Sequence, residues 1–311
     1  VLTTTGSATD VSALYDAQGS GVDGLGNEAV TLSGTGATAA ELNNIAAKTS
    51  GQIDIDTVTT ITGTASATIT ALNDGQIDNG GDQAVTLTDE TLAATVLTEL
   101  DGDTTGIVNA ASVTTLTGAT ADLNTAYAAN AAGTVSGLTN EAVTTSDATI
   151  ADAATLVTLD AYTSGVIDAT SIDTITGSAA DLASVYGSAG IDNFGDDDIV
   201  TVTGVTAAAA DLNTIAAGNA LQITVAGTVV TVTGSASDLA TMYNNADAPG
   251  DGITGLGDEA VTVTDTTSAA ADLNSINTDT TGVVDTATNV TTITGSVSGL
   301  QALQTAIGAG Q

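Results

Sequence analysis

Acidic loops are the first feature of this sequence that could do chemistry. They recur just before predicted strands, at alternate repeats of the chain. Carboxylates and amides from adjacent turns can supply the roughly six to eight oxygen ligands that calcium takes. We therefore expect calcium as a cofactor at these loops. The candidate ligands are Asp23, Asn27, Glu28, Asp78, Asp82, Asp192, Asp196, Asp197, Asp198, Asp258 and Glu259.

The spacing of these acids matches neither an EF-hand loop nor the calcium-binding nonapeptide of secreted repeat proteins. Asp and Asn also favour turns, because their side chains form hydrogen bonds with the backbone nearby. The alternative to a calcium site is therefore a set of turn-forming, solvated acids on a salt-tolerant surface.

Threonine recurs three residues before the Gly or Asp that ends each strand pattern. On successive strands about 4.8 Å apart, these side chains would form one column of hydroxyl and methyl groups. Such a face is similar to the Thr-x-Thr face of solenoid antifreeze proteins, which implies ice binding. The alternatives are that Thr is simply favoured in exposed strands, or that the face packs against a neighbouring copy. The column consists of Thr3, Thr31, Thr60, Thr86, Thr115, Thr144, Thr174, Thr201, Thr231, Thr262 and Thr292.

Aromatic and nucleophilic side chains offer little further chemistry. Four tyrosines lie five residues after a helical acidic residue, namely Tyr15, Tyr127, Tyr186 and Tyr243. We expect them to pack in a ladder at the helix ends, with a sugar-binding stripe as the alternative. The sequence has no His and no Cys, and Lys48 is its one basic residue. Because general-base and nucleophilic catalysis lack their usual groups, we expect no enzymatic activity.

The charge balance limits the partners of this chain. Its 37 acidic residues and one basic residue give a net charge of −36. Such a chain repels nucleic acid and anionic membranes, whose binding requires Lys and Arg, and it attracts cations. Its self-repulsion requires screening by salt or bound metal. The sequence contains no apolar run of about 18 residues and therefore predicts no membrane insertion.

The elements that position these side chains come from an internal repeat. Phrases such as VTTITG and VTVTD recur along the whole chain and end at eleven anchor residues with nearly regular spacing. Within the phrase, Thr alternates with an apolar residue such as Ile61 or Val202, which is typical of a half-buried strand. The anchors are Gly6, Gly34, Gly63, Asp89, Gly118, Asp147, Gly177, Gly204, Gly234, Asp265 and Gly295.

A short helix is predicted after each strand. In three odd repeats a Ser lies three residues before an Asp, close to a capping box: Ser7, Ser178 and Ser235 precede Asp10, Asp181 and Asp238. In even repeats Leu and Ile form an apolar face, as at Leu42 and Ile45. Even repeats carry three extra residues between the anchor and the helical acid, nearly one helical turn. The full unit is therefore a module of two successive repeats, one odd and one even.

A Gly-rich return segment follows each helix and often reads G-x-h-D, as at 165–168, where we expect a second short strand. A strand, a helix and an extended segment in about 29 residues predict a right-handed α/β solenoid. Its parallel sheet would consist of short Thr-rich strands. The alternative is a parallel β-helix with a helical third side. We expect residues 1–311 to form a single repeat solenoid of eleven coils, as a piece of a longer array.

The phrases TITGSAADL and AAADLNTI stand in a chain rich in Thr, Ala, Gly and Asp. They resemble the tandem-repeat regions of giant secreted and cell-surface proteins of marine bacteria, cyanobacteria in particular. This resemblance is compositional and implies an extracellular or cell-surface location, calcium-supported folding and a role in a surface layer, a filament or an adhesin stalk. We therefore expect a structural repeat protein that contacts copies of itself, end to end or laterally. The alternative is a surface-binding module for ice or glycan.

Overall fold

The computed structural model describes residues 3–192, 198–246, 252–286 and 288–308. In this part of the chain, short strands and short helices alternate in an α/β repeat architecture. The helices are α1 (Ala8–Asp16), α2 (Ala39–Ala46), α3 (Ala65–Leu72), α4 (Ala94–Asp103), α5 (Thr120–Ala132), α6 (Ala154–Tyr162), α7 (Ala179–Gly187), α8 (Ala209–Gly218), α9 (Ala236–Ala246), α10 (Ala270–Asp279) and α11 (Val297–Gly308).

The strands are β1 (Thr3–Gly6), β2 (Ala29–Leu32), β3 (Gly36–Thr38), β4 (Ile53–Asp54), β5 (Thr60–Gly63), β6 (Ile77–Asp78), β7 (Ala84–Leu87), β8 (Thr91–Ala93), β9 (Val108–Asn109), β10 (Thr115–Gly118), β11 (Val135–Ser136), β12 (Ala142–Thr145), β13 (Thr149–Ile150), β14 (Ile167–Asp168), β15 (Thr174–Ser178), β16 (Ile191–Asp192), β17 (Ile199–Thr203), β18 (Thr206–Ala208), β19 (Ile223–Val225), β20 (Thr231–Gly234), β21 (Ile253–Thr254), β22 (Ala260–Val263), β23 (Thr267–Ala269), β24 (Val284–Asp285) and β25 (Thr292–Thr294).

These strands are of three kinds. The anchor strands, such as β5 and β7, contain the Thr-rich phrases. The return strands, such as β4 and β9, lie after the helices, so the predicted second strand is confirmed. The pre-helix strands β3, β8, β13, β18 and β23 lie only in even repeats. They contain the extra residues of those repeats, which therefore do not add a helical turn.

Residues 1–144 and 161–166 form one compact unit. Its parallel strands lie in the orders β1-β2-β4-β6, β3-β5-β7-β9-β11 and β8-β10-β12. In the second of these sheets, Val85 pairs with Ile61 on one side and Val108 on the other. All three side chains are at most 1% exposed, so apolar residues from successive strands stack on the inner face. Helices α1 to α5 pack against one another in chain order and complete the core.

Residues 145–160 and 167–311 form the second compact unit. Its parallel strands lie in the orders β13-β15-β17-β19-β21, β18-β20-β22-β24 and β23-β25, and β14 pairs with β16. In the first of these sheets the buried column includes Ile175, Val200 and Ile223, each fully buried. Helices α7 to α11 pack against one another in chain order. The two units therefore repeat the same local construction.

The prediction that the eleven threonines form a single column is wrong. No sheet in the described part of the chain contains more than two of the eleven predicted residues. Even within one sheet they are not opposite each other, because Thr62 rather than Thr60 pairs with Thr86. The reason is a difference in period, since strand partners such as Thr60 and Ala84 are closer in sequence than successive anchors are. Return strands therefore occupy positions in the sheets where the single-column model expects anchor strands.

The predicted helix caps are confirmed at all three positions. The backbone amides of Asp10, Asp181 and Asp238 donate to the side-chain oxygens of Ser7, Ser178 and Ser235. An anchor Asp adds a cap that the sequence analysis did not predict, because Asp89 accepts a hydrogen bond from the Ala65 amide of α3 over 2.8 Å. Capping of this kind stabilises helices that are too short to form alone. Within the described ranges, no helix has the length and hydrophobicity needed to cross a membrane.

Candidate functional site

Two of the predicted calcium ligands, Glu28 and Glu259, point into the protein. Each accepts a hydrogen bond from the hydroxyl of a buried Tyr on the preceding odd-repeat helix, and Glu141 does the same. The pairs are Tyr15 with Glu28, Tyr127 with Glu141 and Tyr243 with Glu259. All six residues are at most 4% exposed. We call each pair, together with the groups that complete it, a clasp.

Backbone amides satisfy the second carboxylate oxygen of each clasp. The Oε2 atom of Glu28 lies 2.8 Å from the Gly26 amide nitrogen and 3.2 Å from that of Asn27. The same two distances recur at the amides of Thr139 and Asn140 around Glu141, and at those of Gly257 and Asp258 around Glu259. Hydrogen bonds to an ionised carboxylate are stronger than those between neutral groups, so the loop stabilises the buried charge.

A loop after the even-repeat helix closes the clasp. The Thr49 hydroxyl donates to the Glu28 carbonyl over 2.9 Å and accepts from the Gly51 amide over 3.0 Å. A Cβ atom on Gly51 would lie 2.0 Å from the same carbonyl oxygen, so a larger residue does not fit. The equivalent distances are 2.3 Å for Gly106 from Gln83, 1.9 Å for Gly165 from Glu141 and 1.9 Å for Gly282 from Glu259. The T-[ST]-G sequence is therefore part of the clasp.

One module carries a neutral version of the clasp. Leu72 occupies the helical position of the Tyr, and Gln83 occupies that of the Glu. Gln83 is 2% exposed, and its amide nitrogen donates to Asp82 over 3.3 Å. Its side-chain oxygen has no hydrogen-bond partner among the described residues. Loss of the Tyr hydroxyl thus accompanies loss of the charge that the hydroxyl would stabilise.

Another module carries a shortened version of the clasp. Tyr186 faces Asp198, a residue with a shorter side chain that is 4% exposed. Here Asn219 replaces the Thr of the closing loop, and its amide donates to the Asp198 carbonyl over 3.2 Å. Leu221 stands in place of the Gly. The closing loop therefore changes together with the length of the carboxylate side chain.

In the clasp of Tyr15 and Glu28, the pKa values of the two side chains shift in opposite directions. Burial raises the pKa of Tyr15, Tyr127 and Tyr243, and the facing carboxylate raises it further. Burial alone would raise the pKa of Glu28 as well, but the hydrogen bonds from Tyr15 and from backbone amides outweigh burial and lower it. The clasp of Tyr15 and Glu28 is therefore held with a neutral Tyr15 and an ionised Glu28.

The other predicted calcium ligands that lie among the described residues do not gather into a site. Asp23, Asn27, Asp78, Asp82, Asp192 and Asp258 are exposed, and Asp198 is in the shortened clasp. Asp196 and Asp197 lie outside the described residues. Among the residues that the structure describes, no three His, Cys, Asp or Glu side chains are placed to hold a metal ion. Calcium binding accordingly stays a prediction.

Exposed and half-buried carboxylates do line up in pairs along the sheets. Asp54 pairs with Asp78 in neighbouring parallel strands, and Asp168 pairs with Asp192 in the same way. Like charges on adjacent strands repel each other. Cations near these pairs would therefore reduce an electrostatic cost.

The sugar-binding stripe of tyrosines is wrong for three of its four members. Tyr15, Tyr127 and Tyr243 are each 1% exposed, so their rings offer no face to a ligand. Their burial agrees with the predicted packing, but among the described residues no ring contact joins the four predicted tyrosines into a ladder. Tyr162, which was not predicted, stacks on Tyr127 with ring centroids 6.1 Å apart and is 40% exposed.

The sequence analysis missed Glu141, Gln83 and all the closing loops. A usable signal was present, because the phrase L-x-[ND]-E-A-V recurs at 25–30, 138–143 and 256–261. A T-[ST]-G triplet follows each Glu of that phrase at a nearly constant interval, at 49–51, 163–165 and 280–282. In each case the Glu follows a helical Tyr by 13 to 16 residues, and this recurrence indicates an internal pair rather than a solvated loop.

No protein-family model, no curated protein and no solved structure matches this chain.

Proposed function

We propose that this chain is an extracellular structural repeat protein, part of a filament, a surface layer or an adhesin stalk. The observation that carries the proposal is that the buried carboxylates hold one segment of the chain to another. Glu28, for example, uses its oxygens on the Tyr15 hydroxyl and on two backbone amides. A catalytic or ligand-binding carboxylate needs a lone pair or a proton available to its substrate. A structural role requires only that these internal hydrogen bonds persist.

We further propose that the repeats stack as a right-handed α/β solenoid. The support is that within each compact unit the helices, α6 apart, pack in chain order and the strands pair in parallel. In such an array each repeat contacts only its neighbours, so length can increase without redesign of the core. This property suits a stalk or filament.

Divalent cations, calcium first, are the proposed stabilising partners. The net charge of −36 opposes both folding and contact between copies. The paired carboxylates at Asp54 and Asp78, and at Asp168 and Asp192, concentrate this repulsion on adjacent strands. Cations near these pairs would lower the repulsion and allow copies of the chain to associate.

Sedimentation velocity of the purified chain tests this proposal. Samples in millimolar calcium are compared with samples in sodium chloride of the same ionic strength, over a range of protein concentrations. We expect larger species to form with calcium and to increase with concentration. A single monomeric species under every condition would contradict self-association.

Ice binding is a second candidate, favoured by one observation. Thr176, Thr201, Thr224 and Thr254 pair in register along one sheet and form a row of four hydroxyl groups. The outward position two residues earlier changes from Thr174 to Ile199 on the next strand, so this row lacks a complete second row beside it. Thermal hysteresis of the purified chain would support this candidate, and its absence would remove it.

A further inference from the structure

The clasp connects three segments that are distant in sequence. In the central example these are the C-terminal part of α5 through Tyr127, the loop before β12 through Glu141, and the closing loop at 163–165. Residues 161–166 belong to the same compact unit as residues 1–144, in agreement with this connection, whereas residues 145–160 of the even repeat belong to the other unit. One clasp therefore spans an odd repeat and both ends of the even repeat after it.

Side-chain hydrogen bonds from an even repeat to the next odd repeat lie nearer the surface than the bonds between Tyr and Glu. Two of them reach a carboxylate: the Thr134 hydroxyl donates to Asp101 over 3.0 Å in an exposed position, and the Ser188 hydroxyl donates to Asp160 over 2.8 Å in a partly buried one. The Asn43 amide donates to the Ala67 carbonyl over 2.8 Å, and the Asn213 amide donates to the Asp238 carbonyl over 2.9 Å. Both hydrogen bonds join neutral groups and are only partly buried. The hydrogen bonds between Tyr and Glu in the clasps reach a carboxylate and are fully buried, so they cost more to break.

We propose that the clasp makes each odd repeat and the even repeat after it one cooperative unit of unfolding, and that the chain opens first at the boundary after an even repeat. Helix contacts occur on both sides of α2 to α4 and of α8 to α10, and parallel strand pairs join successive repeats within each compact unit, so neither distinguishes the two boundaries there. The clasp does distinguish them. The two-repeat sequence module is then also the unit that opens and closes.

Hydrogen exchange followed by mass spectrometry on the full chain tests this proposal. The variant Tyr127→Phe removes the hydroxyl and leaves the Glu141 charge buried with one partner fewer. Tyr162→Phe is the matched control, because it makes the same chemical change in the exposed ring stacked on Tyr127. A second variant, Tyr127→Leu with Glu141→Gln, copies the neutral pair Leu72 and Gln83 and removes the charge as well.

In Tyr127→Phe we expect amides of α5, β12 and residues 163–166 to exchange about tenfold faster and by the same factor, since they open together. Amides of β5 and β7 keep their rates, as do all amides of Tyr162→Phe. The double variant Tyr127→Leu with Glu141→Gln should exchange more slowly than Tyr127→Phe in the same segments. It also provides the test if Tyr127→Phe fails to fold. Acceleration confined to α5, or spread equally to β5 and β7, would overturn the proposal.

Discussion

At the scale of single residues, the Gly of each closing loop is fixed by a steric contact rather than by backbone conformation. Gly51, Gly165 and Gly282 are not among the residues with positive φ. Their constraint is the carbonyl oxygen of a clasp Glu, which a Cβ atom would approach to 2.0 Å or less. A contact this short cannot be relieved by rotating a flexible side chain, because the opposing atom belongs to the backbone.

The variant Gly51→Ala should therefore lower the free energy of unfolding by about 1–3 kcal/mol, the usual cost of overpacking a buried site. Gly75→Ala is the control, since Gly75 has no atom within 4 Å of an added Cβ and is also outside the positive-φ set. Urea unfolding followed by circular dichroism measures both variants. Equal midpoints for the two would show that the closing loop does not need Gly.

Tyrosine ionisation gives a second prediction at this scale. Burial and the facing carboxylate raise the pKa of Tyr127 above its ordinary value of 10.0. A group whose pKa is raised on folding contributes stability below the unfolded pKa and loses it as pH rises. The urea midpoint should therefore fall as pH rises above about 10, and it should fall less in Tyr127→Phe. Parallel pH profiles for the two proteins would contradict this assignment.

At the scale of elements, the sequence predicts what depends on near neighbours. The anchor strands, the helices, the return strands and the caps at Ser7, Ser178 and Ser235 follow from local patterns and are present. The pairing of strands was not predictable in this way, because the separation of paired residues differs from one pair to the next, as between Thr60 with Ala84 and Ile223 with Ile253. The clasps were missed for a related reason: Glu28 resembles a solvated loop acid until Tyr15 is placed beside it.

The module of Leu72 and Gln83 has no charged clasp, so a Tyr and Glu pair can be introduced there and its effect on stability measured. Leu72→Tyr together with Gln83→Glu should rebuild a complete pair, since the closing loop Thr104 to Gly106 is already present. Gln83→Glu alone should destabilise the protein, because it buries a charge without its hydroxyl partner. In a double-mutant cycle measured by urea unfolding, we expect a favourable coupling of about 1–3 kcal/mol. Additive effects would mean that the two positions do not form a pair.

At the scale of the whole chain, the dominant property is charge. A net charge of −36, with Lys48 paired to Asp16, leaves nearly all acidic residues without a basic partner. Self-repulsion on this scale lowers stability, and salt or bound cations relieve it. Buried clasps are less sensitive to screening than exposed charges. Salt and calcium should therefore affect the surface more than the core.

A comparison of melting temperatures separates specific calcium binding from screening. If exposed carboxylates such as Asp78 and Asp192 bind calcium in the native state, adding it should raise the melting temperature by several degrees above that in sodium chloride of equal ionic strength. A chelator should reverse the increase. Identical melting curves in the two salts would mean that calcium acts on stability only by screening charge.

The central claim is that this chain builds a structure from copies of itself and does not recognise a separate ligand. Electron microscopy of the purified protein in millimolar calcium tests it most directly, with chelated protein as the control. The account predicts fibres or lateral arrays with calcium that disperse on chelation, and no effect of either sample on ice growth. Dispersed monomers in calcium that inhibit ice growth would contradict it.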